Sequence, residues 1–241
     1  MIDGHAHLNE IEAIDEAMER ARAVGIRGII AVGMDKKSNE ITLALAERFR
    51  GFVHPAIGYH PWSVSPEGID ENLELIEAHI GSCVAMGEIG LDYGAKARKK
   101  VQQAVFERLL DIARRHDRPV IVHSRYSHQR TFSMVKEAGI ERAVFHWYSG
   151  PADVLEGILG KGYFISATPA LAYSPPHQEA MKMAPLEQIL IETDSPVAYQ
   201  GKVSEPADLV VTVQELSRIK GIPPEDIARI TAEATELLYG I

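Results

Sequence analysis

Short apolar runs alternate along this chain with segments whose apolar residues recur at helical spacing. The first run covers Met1 to Leu8 and reads as a strand. In an extended chain alternate side chains share a face, so Asp3, His5 and His7 project together and Ile2, Gly4, Ala6 and Leu8 project the other way. Ile11, Ile14, Met18, Ala21 and Val24 then follow a helical stripe, with Asn9 placed to cap it and Gly25 to stop it. The same pattern predicts strands over 26–32, 53–59, 83–92, 119–122, 143–145, 163–167 and 189–191. It predicts helices over 38–49, 69–80, 99–116, 127–138, 151–159 and 176–183, and two closing helices over 206–219 and 224–238.

Eight short strands alternating with helices indicate a parallel sheet. At 241 residues, eight such units favour a closed (β/α)8 TIM barrel over an open doubly wound sheet. No G-x-G-x-x-G follows the first strand, so the dinucleotide-binding fingerprint is missing. No repeat or linker divides the chain. The expectation is one α/β domain over 1–241, a barrel with an extra C-terminal helix.

Composition narrows the function classes. Lys plus Arg is 25 and Asp plus Glu is 34, a formal charge of −9. That is not the footprint of a protein that grips duplex nucleic acid by bulk charge. A nuclease stays open, because bound cations can supply local positive charge. Cys83 is the single cysteine; it can form no internal disulfide and reads as a buried, inert thiol. No apolar run is long enough to span a bilayer, and the organised chain starts at residue 2, leaving no room for a signal peptide. A cytoplasmic location is the resulting expectation. No feature marks an obligate protein partner.

Barrel chemistry sits at the C-terminal ends of the strands. His5 and His7 end the first predicted strand, His60 follows the third, Glu88 lies at the fourth, His123 follows the fifth, His146 the sixth and Asp194 the eighth. His54, His79, His116 and His128 lie away from that face and read as structural or solvated. His177 falls in the loop after the seventh strand and is assigned a structural role. Four imidazoles and two carboxylates exceed the three protein ligands usual for one catalytic metal. They suit two ions sharing a carboxylate: His5, His7 and Asp194 on one, His123 and His146 on the other, Glu88 between them. Asp3 stands where it can orient one of the first two imidazoles. Imidazole-rich ligation favours zinc, manganese or another first-row metal.

The segments Asp3-Gly4-His5-Ala6-His7-Leu8, Gly58-Tyr59-His60-Pro61 and Gly87-Glu88-Ile89-Gly90-Leu91-Asp92 form a recognisable series. It continues with Pro119-Val120-Ile121-Val122-His123-Ser124-Arg125, His146-Trp147-Tyr148-Ser149-Gly150 and Glu192-Thr193-Asp194-Ser195-Pro196. In content and order the series resembles the TatD family of metal-dependent deoxyribonucleases, within the amidohydrolase-like barrels. The resemblance covers essentially the whole chain. It implies metal ligation by His5, His7, Glu88, His123, His146 and Asp194, and a substrate-side role for His60. Many related amidohydrolases carry a carboxylated lysine where this chain has Glu88, which weakens a cyclic-amide hydrolase reading. Three positions depart from the family pattern: Tyr126-Ser127 replaces Asp-Ala, Ser204 replaces the asparagine of Asn-Glu-Pro, and Ala234 replaces an asparagine in the last helix.

The expected activity is that of a metal-dependent phosphodiesterase acting on DNA or a nucleotide, from an end, with two divalent ions (zinc, manganese or magnesium). Catalysis is assigned to Glu88 and Asp194, with Asp194 orienting the attacking water and accepting its proton. His60 and Arg125 are the candidate phosphate contacts, Arg125 by its planar donors or else as a structural ion pair. Trp147 and Tyr148 are candidate base-stacking residues or rim packing. Two alternatives stay open: a related hydrolase of a tRNA-end ester or a small amide or lactone, and a barrel that binds metal without catalysing a reaction.

Overall fold

The computed structural model describes residues 1–241. One parallel sheet holds eight strands in chain order: β1 (Ile2–Ala6), β2 (Gly28–Val32), β3 (Val53–Ile57), β4 (Ala85–Asp92), β5 (Val120–Arg125), β6 (Ala143–Phe145), β7 (Phe164–Ala167) and β8 (Ile189–Ile191). Between them run α1 (Ile14–Ala23), α2 (Lys36–Arg48), α3 (Ile69–His79), α4 (Lys99–Arg115), α5 (His128–Glu137), α6 (Ala152–Gly160) and α7 (Pro175–Met183). A small antiparallel hairpin, β9 (Ala198–Tyr199) and β10 (Lys202–Val203), follows β8. Then come α8 (Leu209–Lys220) and α9 (Pro224–Tyr239). The expected barrel with an added C-terminal helix is the observed architecture.

Both faces of these strands are covered, which is why they read as apolar runs rather than as alternation. In β2, Ile29 and Ala31 pack in the large core shared with the helices, while Ile30 and Val32 belong to a second, smaller core. That second core takes one residue or two from each of β2 to β8, including Ala56, Ile121, Val144, Phe164 and Leu190. Ala234, Leu238 and Tyr239 of α9 join it. The last helix therefore plugs the floor of the barrel. An ion pair of Arg27, just before β2, with Glu236 of α9 ties it there.

β1 and β8 share no strand ladder, and the ring closes one step higher. Asp194 N–H donates to His5 C=O at 3.0 Å and His7 N–H donates to Ser195 C=O at 2.7 Å. The seam of the barrel thus joins the His-x-His segment to the Asp194 loop. At the opposite wall, Gly90 has φ +148°, and a Cβ there would lie 2.0 Å from the His123 carbonyl oxygen. Only glycine lets β4 and β5 approach this closely where Glu88 and His123 emerge.

Several boundaries differ from the sequence expectation for local reasons. Leu8–Glu10 is a 3-10 turn, Asn9 caps nothing, and α1 starts only at Ile14. α2 starts at Lys36, earlier than 38, because Asp35 and Ser38 form a reciprocal capping box. β5 continues through His123 to Arg125, paired to the long β4. Residues Pro206–Asp208 form a 3-10 turn, so α8 begins at Leu209 rather than 206.

Candidate metal centre

Seven side chains from six strand ends converge: His7, His60, Glu88, His123, His146 and Asp194 line one cavity, and His5 is buried against them. His5 Nε2 and His7 Nε2 lie 3.2 Å apart, and Asp194 Oδ1 lies 3.4 Å from the first and 3.5 Å from the second. Residues 189 positions apart in sequence therefore share a contact, as the strand-end argument requires. Glu88 Oε2 faces the same two imidazoles at 3.5 Å each. Its other oxygen, Oε1, lies 2.7 Å from His123 Nδ1, 2.7 Å from His146 Nε2 and 3.4 Å from His60 Nε2. The two oxygens of one carboxylate thus face two separate imidazole sets.

These donors suit a divalent first-row ion. Ligands about 2.0–2.1 Å from a tetrahedral ion stand roughly 3.3–3.4 Å apart, close to the spacings among His5, His7, Asp194 and Glu88 Oε2. Asp194 Oδ1 is buried and has no hydrogen-bond partner in the protein, an expensive state for a carboxylate oxygen unless a cation satisfies it. On the other side of Glu88 the 2.7 Å contact with His123 Nδ1 is a hydrogen bond and His146 Nε2 stands at the same distance as an ion pair, the geometry of a carboxylate beside protonated imidazoles.

The charges are interlocked. Burial pushes Glu88 up, but His146 and His60 nearby, with hydrogen bonds from His123 and His146, outweigh it and hold the acid well below its ordinary range. Burial lowers His7, yet Glu88 and Asp194 lift it to about 9. His146 is raised well above the usual value, burial being outweighed by Glu88 and Glu192. His60 goes the other way, to about 4, because burial dominates. Asp194 is raised by burial, against the pull of His5, His146 and His7.

Around this set lies a ring of positioning groups. Asp92, fully buried at the end of β4, faces His123 Nε2 at 3.3 Å. Glu192 faces His146 Nδ1 at 3.3 Å and accepts the Trp147 backbone N–H at 3.1 Å. Such partners fix the ring orientation of ligand histidines. Neither acid was singled out by sequence reasoning; each sits inside a quoted motif, but its partner lies on another strand. Asp3 corrects an expectation. It orients no imidazole: it accepts from the Thr193 N–H and hydroxyl at 3.0 and 2.6 Å and from the His5 backbone N–H at 3.3 Å. Its work is to hold the loop that carries Asp194.

Arg125 lines the mouth, with Nη1 4.0 Å from Asp92 Oδ2, too far for a tight ion pair, and most of its fork free. Tyr148 is 1% exposed and donates its hydroxyl to Pro151 C=O at 2.8 Å, so it cannot stack a base. Trp147 lines the cavity, half-buried against Tyr199. His177 is structural, as expected: buried, Nδ1 on Tyr148 C=O at 2.7 Å and Nε2 accepting from Thr168 N–H at 3.1 Å. Cys83 is buried, and burial pushes its thiol up to about 12. No helix is long and apolar enough to cross a membrane.

A sequence model described as "TatD related DNase" matches residues 2–240. The chain is 31% identical to a protein named deoxyribonuclease TATDN3 from Homo sapiens, over 99% of this chain and 94% of that one. It is 30% identical to a protein named uncharacterized metal-dependent hydrolase YabD from Bacillus subtilis, over 100% and 99%. The crystal structure of YJJV, a TatD homolog from Escherichia coli, superposes with a TM-score of 0.90 at 26% identity, covering 100% of this chain and 98% of that one. With the motifs in order and the barrel seam joining them, the chain belongs to the TatD-related DNase family.

Proposed function

We propose that this chain, acting as one domain over 1–241, is a two-metal phosphodiesterase that shortens DNA from an end. The observation that carries the reading is Glu88, whose two oxygens face two imidazole sets. His5, His7 and Asp194 would hold one ion and His123 and His146 the other, with Glu88 between them. Zinc and manganese match the imidazole-rich donors, and magnesium remains a candidate. Bound divalent ions would supply hydroxide at neutral pH and neutralise charge building on the phosphoryl oxygens.

The protein's own groups do the rest. Asp194 lines the cavity, and its second oxygen, the one not given to the ion, would orient the attacking water and take its proton. His60, kept neutral by burial, can donate one hydrogen bond to a phosphate oxygen. Arg125 offers paired donors at the rim. The cavity of about 550 Å³ is within the size range of small-ligand clefts, which suits a chain end.

The test is direct. End-labelled single-stranded DNA should shorten with added manganese or magnesium and persist in chelator. Intact DNA alongside rapid cleavage of an aminoacyl ester would move the substrate to a tRNA-end ester. Bound metal with no hydrolysis of phosphodiesters, esters or amides would remove the enzyme reading altogether.

A further inference from the structure

Trp62 is the most conspicuous side chain that the chemistry above leaves unused. It follows His60 by two residues, lines the mouth and is 59% exposed. Exposed tryptophans usually swing; this one is pinned. Its Nε1–H donates at 2.6 Å to Asp92 Oδ2, a carboxylate with no solvent exposure. The same oxygen faces His123 Nε2 at 3.3 Å and Arg125 Nη1 at 4.0 Å. The indole is therefore registered against the ligand set. Its ring neighbours are His60 at 4.8 Å and His123 at 5.9 Å, crossing it at 84° and 71°. Neither stacks on it, and a flat apolar face is left open beside the reacting centre.

Charge says what that face is for. Among the side chains lining the cavity, Arg125 is the one permanent cation, and Glu10 adds a negative charge at the edge. The whole chain carries −9. Beyond the ions, little at this mouth can hold a run of phosphates. Affinity must come from another part of a nucleotide, and every base has a π-face that stacks on indole. A base inside a duplex has both faces covered by its neighbours. An unpaired base at a strand end does not.

We propose that Trp62 stacks on the nucleobase flanking the scissile phosphate. The proposal rests on the deoxyribonuclease reading. Asp92 acts here as a positioning residue that sets indole and His123 in one register, and Arg125 takes the adjoining phosphate.

The test compares a short single-stranded oligodeoxynucleotide with its twin carrying an abasic residue next to the cleaved bond, using the full-length metal-loaded protein. The wild-type protein should lose roughly 10–100-fold in kcat/KM on the abasic strand. Trp62→Ala, checked for native circular dichroism and metal content, should cleave the two strands within about threefold of each other. Trp62→Phe, which keeps a ring, should retain most of the discrimination. Binding should fall only shallowly with salt, with a slope of about −0.7 per phosphate engaged and one or two phosphates in all. Equal cleavage of both strands by wild type, full discrimination in Trp62→Ala, or a steep salt slope overturns the stacking proposal while leaving the nuclease reading intact. Cleavage of neither strand with metal present overturns both.

Discussion

The two halves of the barrel interior use the same strands for opposite ends. Below, β2 to β8 turn Ile30, Ala56, Ile121, Val144 and Leu190 inward, and α9 seals the floor with Ala234, Leu238 and Tyr239. Above, a few residues further along the same strands or just past them, the inward positions are His60, Glu88, His123, His146 and Asp194. The floor gains from burial, about 25 cal/mol for each Å² of apolar surface withdrawn from water. The mouth buries charges that gain nothing without partners. The difference teaches where the molecule keeps its stability and where it gives stability up for chemistry.

Two substitutions test that division. Glu88→Gln keeps the shape and removes the charge shared by both imidazole sets. Turnover should fall roughly 10²–10⁴-fold, metal stoichiometry should drop, and the circular dichroism spectrum should stay native. Wild-type turnover in that variant would take Glu88 out of the mechanism. Leu238→Ala cuts into the floor, where the side chain is fully buried. It should cost about 2–5 kcal/mol by denaturant titration, while kcat of the folded fraction stays within about twofold. A matching collapse of kcat would show that floor and mouth are coupled.

The fold was legible because its signal is periodic: apolar strand runs and helical stripes recur eight times, and a parallel barrel places every strand end on one rim. His5, His7, His60, Glu88, His123, His146 and Asp194 could be located from that alone. What escaped was set by neighbours on other strands. Asp92 and Glu192 have meaning only through His123 and His146 across the barrel. Trp62 and Tyr148 are set apart by their surroundings: the indole meets solvent and a buried acid, while the phenol ring packs edge-on against His128 and bonds Pro151. Asp3, near the ligands in sequence, faces Thr193 instead, because the barrel closes through that loop.

A smaller effect sharpens the account of the mouth. Burial lowers His7, but Glu88 and Asp194 raise it to about 9, so below that pH a proton competes with metal for the same nitrogen. Metal affinity should rise with pH, about tenfold per unit for each proton displaced, and flatten as pH passes 9 for this residue. Manganese titrations at pH 6, 7 and 8, with proton release followed in weak buffer, measure the slope. Affinity independent of pH would mean that His7 binds no ion.

The smallest expected effect comes from a surface copy of the same contact. Glu77 lies 2.8 Å from His116 Nε2, almost the 2.7 Å of Glu88 to His123, and also pairs with Arg115. Arg115 and then His116 hold the Glu77 carboxyl at about 2. A depressed acid stabilises the fold above its unfolded value near 4.3 and loses that contribution as pH falls towards 2. Solvent screens this pair, so Glu77→Gln should change stability at pH 7 by less than about 1 kcal/mol. The gap to wild type should narrow in melts at pH 3 and close only below about pH 2, and activity should be untouched. Distance and residue type are nearly shared with Glu88, and only the surroundings differ. A loss at Glu77 as large as at the barrel floor would mean that burial is not what separates the two carboxylates.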